Sequence, residues 1–236
     1  MKTKFKLIIL VVAMAGLFAS CDYDNYDEPG SFLEGNIVYN GEAINVSSKD
    51  VSFQLWEPGW QKSYPINVEV AQDGSYSSLL FDAQYKLVIP SNQGPWRTKI
   101  NSESGSDTIY VNLNGNKKLD IEVEPYFMIR NSQFSVSGSN VTATFQAEKI
   151  ITDAGAKNIE RVNFYINKTQ FVDFRSSSNV ASVEIGGGDI TNPASISMTL
   201  TVPELVPAQN YVYARVGIKI QGVEDMIFSP VQKVDL

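Results

Sequence analysis

Residues 73–89 read DGSYSSLLFDAQYKLVI. Asp73-Gly74 is a favoured two-residue hairpin turn, because both positions tolerate positive φ. After it, Tyr85, Leu87 and Ile89 recur at every second position. Just before it, Ile66, Val68 and Val70 do the same. A period of two puts alternate side chains on opposite faces of a strand, so the stretch predicts antiparallel strands with one wet face and one packed face.

The pattern extends outward over residues 31–124. Phe32, Ile37 and Tyr39 lead into Asn40-Gly41, Val51, Phe53 and Leu55 share a face, and Ile109, Val111 and Leu113 form another set. After Asn114-Gly115-Asn116 come Leu119, Ile121 and Val123. About seven short strands at this spacing predict a β-sandwich or barrel. Glu124-Pro125 marks a boundary, since proline removes a ladder donor, and the alternation restarts with Phe127 and Ile129. Over residues 125–236 the strands are carried by Val141, Ala143, Phe145 and Ala147, then by Val162, Phe164 and Ile166, then by Ile196, Met198, Leu200 and Val202. In YVYARVGIKI (211–220), Val212, Ala214, Val216, Ile218 and Ile220 are expected to face the core, and Tyr213, Arg215 and Lys219 the solvent. Leu205-x-Pro207-x-x-x-Tyr211 has the spacing of a tyrosine corner, in which the phenol bonds back to the chain. Ser176–Asn179 and Gly186-Gly187-Gly188 are expected as flexible loops, with 186–195 long enough to reach a ligand. The fold class is therefore all-β, two tandem β-sandwiches.

The order of the pieces carries a resemblance. LEGNIVYNGEAI (33–44) followed by the 73–89 stretch resembles the transthyretin-like, or carboxypeptidase-regulatory-like, Greek-key fold. The tyrosine-corner spacing, with FSPVQKV as a final strand, is similar to an immunoglobulin or fibronectin type III domain. Across the whole chain, with Gly94-Pro95-Trp96 and Pro125-Tyr126, the arrangement resembles a family of Bacteroidetes surface lipoproteins that accompany SusC/SusD-type nutrient importers. The resemblance implies an outer-membrane, polysaccharide-utilisation setting and a SusC/SusD-like protein partner, and leaves the activity open.

The N-terminus agrees with that setting. Lys2, Lys4 and Lys6 precede the apolar run Leu7–Phe18, which is shorter than the roughly 20 residues that span a bilayer, so residues 1–20 read as a secretory signal peptide. Leu17-Phe18-Ala19-Ser20-Cys21 resembles a lipobox, although Phe18 stands where leucine is usual. Cys21 is the expected lipidation site, and its acyl chains the lipid anchor in the outer membrane. Residues 21–30, with Asp22, Asp24, Asp27 and Glu28, are too charged to pack and read as an acidic tether. They also resemble the export signal that directs Bacteroidetes lipoproteins to face the cell exterior.

Composition narrows the chemistry. Removing residues 1–20 takes away three lysines and no acids, leaving 16 basic against 26 acidic groups, a net charge near −10. Nucleic acid is a poor partner for such a surface. With no histidine and with Cys21 as the lone cysteine, no histidine-based triad, internal disulfide or ordinary zinc site can form. No metal site, cofactor or catalytic residue is expected, and the chain is read as not an enzyme. Carboxylate-driven glycan hydrolysis is the outlying alternative, since acids are plentiful.

Sugar binding requires only an aromatic plane with polar groups beside it. LWEPGWQKSY (55–64) offers Trp56, Trp60 and Tyr64, and NQGPWRTK (92–99) adds Trp96 and Arg97. These five are the candidate glycan-binding residues. The opposing expectation for each tryptophan is packing: Trp56 and Trp60 on each other or on the second domain, Trp96 as a cap on the sandwich. A different class of function, a spacer or interaction module docking on an outer-membrane partner, remains open beside glycan binding.

Overall fold

The computed structural model describes residues 28–57, 59 and 64–236. The expected signal peptide, Cys21, most of the acidic tether and Trp60 lie outside the described residues. The first half contains β1 (Ser31–Tyr39), β2 (Glu42–Ala43), β3 (Ser52–Trp56), β4 (Ile66–Glu69), β5 (Ser75–Leu80), β6 (Ala83–Val88), β7 (Trp96–Arg97), β8 (Ile109–Leu113), β9 (Lys117–Lys118), β10 (Ile121–Glu122) and β11 (Glu124–Pro125). The second contains β12 (Phe127–Ser137), β13 (Asn140–Lys149), β14 (Ile159–Asn167), β15 (Ala181–Gly186), β16 (Ile196–Thr201), β17 (Tyr211–Ile220), β18 (Ile227–Phe228) and β19 (Gln232–Asp235). Among the described residues the only helical element is a 3-10 turn at Gly187–Asp189, and no helix is long and apolar enough to cross a membrane.

In the first domain one sheet runs β4-β3-β6-β8, antiparallel throughout. The other gathers around β1, which pairs antiparallel with β5 along its first half and with β2 at its end. It also runs parallel to β9 and β10, a pairing that alternation alone does not reveal. Phe53, Leu55, Val68, Tyr85, Leu87, Val111 and Leu113 from the first sheet meet Leu33, Ile37, Tyr76, Leu80 and Ile121 from the second. The apolar alternation is thus an inside–outside pattern, as expected of a sandwich. Phe32 does not join this core. It is 40 % exposed, and Leu33 takes the inward place.

The opening stretch folds with one correction. Asp73-Gly74 is a tight turn in which Gly74 alone has positive φ (83°), and the Asp73 carboxylate accepts the Ser75 N–H at 3.1 Å. A side chain at Gly74 would also collide with the Ile44 carbonyl. The pairing stops at the base of the turn, where the Ala71 N–H donates to the Ser75 carbonyl at 2.8 Å: β4 lies in the sheet with β3, and β5 in the sheet with β1. Asp73-Gly74 carries the chain from one layer to the other. A true two-residue hairpin turn is Asn40-Gly41, with φ of 50° and 79° joining β1 to β2.

The second domain packs β12-β13-β16 against β15-β14-β17-β18, with β19 also on β17. Val162, Phe164, Ile166, Val212, Ala214, Val216, Ile218 and Ile220 are buried between the sheets. Arg215 corrects the expectation that it faces solvent, being 0 % exposed. Its parity does place it on the far face of the sheet, but that face is covered as well. A second apolar cluster of Tyr165, Val172, Met226 and Phe228 forms there under the loop between β14 and β15. The tyrosine-corner expectation also changes. Among the described residues no hydrogen bond leaves the Tyr211 hydroxyl, and its ring stacks edge-on with Tyr213 at 5.8 Å beneath the Lys233 ammonium at 4.1 Å. Nor does the triple glycine act only as slack. A Cβ on Gly187 would lie 1.9 Å from the Ile159 carbonyl oxygen, so the glycine is required by close approach.

The first domain closes the far face of the second. Arg215 donates to the carbonyls of Ser229 (2.8 Å), Val172 (3.3 Å) and, in the first domain, Gln72 (2.7 Å), with its guanidinium 4.4 Å from the Phe228 ring centroid. Burial pushes its pKa down to about 9, leaving it charged at neutral pH. Around it, Ser47 donates to Asp173 at 2.9 Å, Arg175 donates to Asp50 at 3.2 Å, and the Phe228 N–H donates to the Asn45 carbonyl at 3.0 Å. Burial alone would raise the Asp173 pKa, but bonds from Arg175 and Ser47 outweigh it and hold the carboxyl below the usual range. The two sandwiches are thereby joined through a polar, hydrogen-bonded seam.

Candidate functional site

The sequence-predicted residues do not all come together. Trp96, in β7, is 5 % exposed and packed beneath Gly94, where a Cβ would fall 2.1 Å from the indole ring. Its ring is therefore closed to a ligand, as the capping expectation has it. Arg97 is engaged in donating to Glu124 (2.6 Å) and to Asp153 of the second domain (2.8 Å). Both residues belong to the junction. Trp60 lies outside the described residues.

Trp56 and Tyr64 are placed differently. Trp56 ends β3, half-buried, on the outer side of the sheet, and its Nε1–H donates to the Gln54 side-chain oxygen at 3.2 Å. Tyr64 is 77 % exposed, two residues before β4. Because Leu55 pairs with Ile66, the chain at Tyr64 leaves the sheet at the end that carries Trp56.

Register supplies what the sequence lacks. Trp56 pairs with Lys86, and Lys86 pairs with Tyr110, so the three stand in one row across β3, β6 and β8. Neighbouring strands are about 4.8 Å apart, which sets Trp56 and Tyr110 about 10 Å apart along the row, a span suited to a short oligosaccharide. Tyr110 is 57 % exposed and Lys86 is exposed. Gln54, Asn67, Gln84 and Asn112 lie on the same face by parity. The face thus combines aromatic rings with amides that both donate and accept hydrogen bonds. Tyr110 and Lys86 were missed by the sequence reading. Alternation between Ile109 and Val111, and between Tyr85 and Leu87, would place both outward, but only strand order puts them beside Trp56.

Recesses lie elsewhere, among them a polar cleft of about 640 Å³ on the β1–β5 sheet lined by Glu34, Asn36, Ser75, Ser77 and Asp120. A recess of about 420 Å³ at one end of the second domain is lined by Phe127, Ile159, Gly187, Ile190 and Pro193, with few polar groups. A cleft of about 400 Å³ between the domains is lined by Lys49, Asp50, Gln93, Phe174 and Asp225. There burial raises the Asp225 pKa, while its carboxylate accepts the Gly94 N–H at 2.6 Å. Among the described residues no group of three or more Asp, Glu or Cys side chains is arranged to hold a metal ion.

The two tandem sandwiches place the chain in the class of two-domain all-β proteins. Its family follows from comparison: residues 31–124 match the N-terminal domain model of a protein of unknown function, DUF3823, and residues 127–233 match the DUF3823 C-terminal domain model, so the chain belongs to the DUF3823 family. A family structure from Parabacteroides merdae is 36 % identical, with a TM-score of 0.75 over 89 % of this chain and 100 % of that one. One from Bacteroides ovatus is 34 % identical, with a TM-score of 0.75 over 87 % and 99 %. A Bacteroides uniformis protein described as a candidate carbohydrate binding protein shares the fold, with a TM-score of 0.67 at 15 % identity over 89 % and 100 %. No curated protein matches the chain.

Proposed function

We propose that this protein is a non-enzymatic glycan-binding lipoprotein of the outer membrane, anchored through Cys21, facing the cell exterior and serving a SusC/SusD-like uptake system. The observation that carries the glycan reading is the cross-strand row Trp56–Lys86–Tyr110 on an amide-rich face. Aromatic planes accept the apolar faces of pyranose rings, and the amides satisfy ring hydroxyls from the side. The description of the Bacteroides uniformis protein with the same fold supports this reading. The leader, lone cysteine and acidic tether support the location.

Affinity electrophoresis through gels containing single polysaccharides tests it. The wild type should be retarded by at least one polymer, and the Trp56→Ala, Tyr110→Ala double variant should migrate freely with an unaltered melting temperature. Free migration of the wild type through a broad panel would contradict glycan binding. Protease treatment of intact cells tests the location: the reading predicts loss of the protein, and full protection would contradict surface exposure.

A second reading, docking on an outer-membrane partner, is favoured by one observation on the opposite sheet. Phe32 pairs with Leu79 across β1 and β5, and these two with Phe81 are 40 %, 48 % and 49 % exposed. Co-purification of a SusC-like protein that is lost in a Phe32→Ser, Leu79→Ser variant, with glycan retention intact, would assign that patch to docking.

A further inference from the structure

We infer, building on the glycan reading, that the ligand is an anionic polysaccharide, and that Lys86 reads its charge. Lys86 stands between Trp56 and Tyr110 in the register of β3, β6 and β8, so a sugar spanning the two rings lies over its side chain. Among the described residues its ammonium has no carboxylate within 4 Å, and it sits over no aromatic ring. It therefore remains open to a ligand.

The composition of the face sharpens the point. In a chain with 26 acidic groups, the strand positions facing outward on β4-β3-β6-β8 include a single carboxylate, Glu69, at the edge and within 3.6 Å of Lys49. No position of the row itself carries an acid; Glu57 follows Trp56 just beyond the strand end, and its charge is felt at Tyr85. An overall negative protein repels polyanions at long range, and screening limits that repulsion to about 8 Å at physiological salt. A local cation among aromatics then selects a carboxylated or sulfated sugar by contact.

The test uses affinity electrophoresis with matched polymers: polygalacturonate against its methyl ester for carboxylate, and dextran sulfate against dextran for sulfate. Retention on one anionic polymer should exceed that on its neutral partner. Lys86→Gln should weaken it by about three- to fivefold, the size of one exposed ion pair. Lys118→Gln, on the other sheet, should leave it unchanged. Which pair discriminates identifies the anion. Equal retention on neutral and anionic polymers, unaltered by Lys86→Gln, overturns charge selection and leaves glycan binding standing. Retention on none of the polymers, with Trp56→Ala also without effect on a wider panel, overturns both.

Discussion

The Arg215 guanidinium in the second domain donates to the Gln72 carbonyl in the first at 2.7 Å, and its side chain is completely buried. Among the described residues no carboxylate accepts a hydrogen bond from it. Three carbonyls and the Phe228 ring solvate it instead. Truncation would take their donor from the Ser229 and Val172 carbonyls, leave the Gln72 carbonyl with only the Val46 N–H, and open a cavity at the seam. Arg215→Ala should cost about 3 kcal/mol or more. Arg215→Lys should recover only part of this, because an ammonium cannot reproduce the planar fork. Thermal unfolding followed by circular dichroism reads both, and a wild-type melting temperature in Arg215→Ala would contradict the assignment.

Asp173 gives the seam a dependence on pH. Its folded pKa lies below the usual carboxylate value, so its contribution is present above the unfolded pKa and is lost as pH falls through the folded one. Asp173→Asn should therefore destabilise the protein at pH 7 by about 2 kcal/mol, the scale of a charge-assisted hydrogen bond. The difference from wild type should shrink toward zero on acidification. Urea midpoints measured between pH 7 and pH 3 would show it, and a constant difference would contradict the pairing.

Asp225 has the opposite sign. Burial raises its folded pKa, so the protonated folded form is favoured at low pH, and that stabilisation is lost as pH rises through the raised value. Asp225→Asn keeps an acceptor for the Gly94 N–H and removes the buried charge. The variant should be at least as stable as wild type at pH 7, and its advantage over wild type should shrink as pH falls from 7 to 4. A lower urea midpoint at pH 7 would show that the charge itself is needed.

The junction can be tested from its glycine. Gly94 has φ of 83°, and a Cβ there would strike the Trp96 ring. Gly94→Ala combines backbone strain with overpacking and should cost about 2 kcal/mol. It should also shift tryptophan emission toward the red by exposing Trp96. An unchanged spectrum at reduced stability would place the damage elsewhere.

The all-β architecture was legible because the alternation of Val51, Phe53 and Leu55, or of Val212 to Ile220, can be buried in only one way. What stayed hidden depended on strand order. Asp73-Gly74 reads as a hairpin turn locally, yet its strands belong to different sheets, and no residue near it records that choice. Arg215 reads as exposed because a charged residue on the far side of a strand usually meets water. Here the other domain covers that side, through Gln72, Ser47 and Asn45, far away in sequence. At the candidate site Trp56 was visible as an outward aromatic. Its companions Lys86 and Tyr110 were not, since only register across β6 and β8 aligns them. Trp96 looked available because it follows a Gly-Pro loop, but the same glycine lets the loop close over its ring.

The most direct test of the account is amide chemical-shift mapping of the isotopically labelled protein, titrated with the polysaccharide that retards it most. The account predicts perturbations concentrated at Gln54, Trp56, Lys86 and Tyr110 on the outer face of the first domain, and their disappearance in the Trp56→Ala, Tyr110→Ala variant. Perturbations confined to the second domain, or to the recess near Phe127 and Ile190, would contradict it.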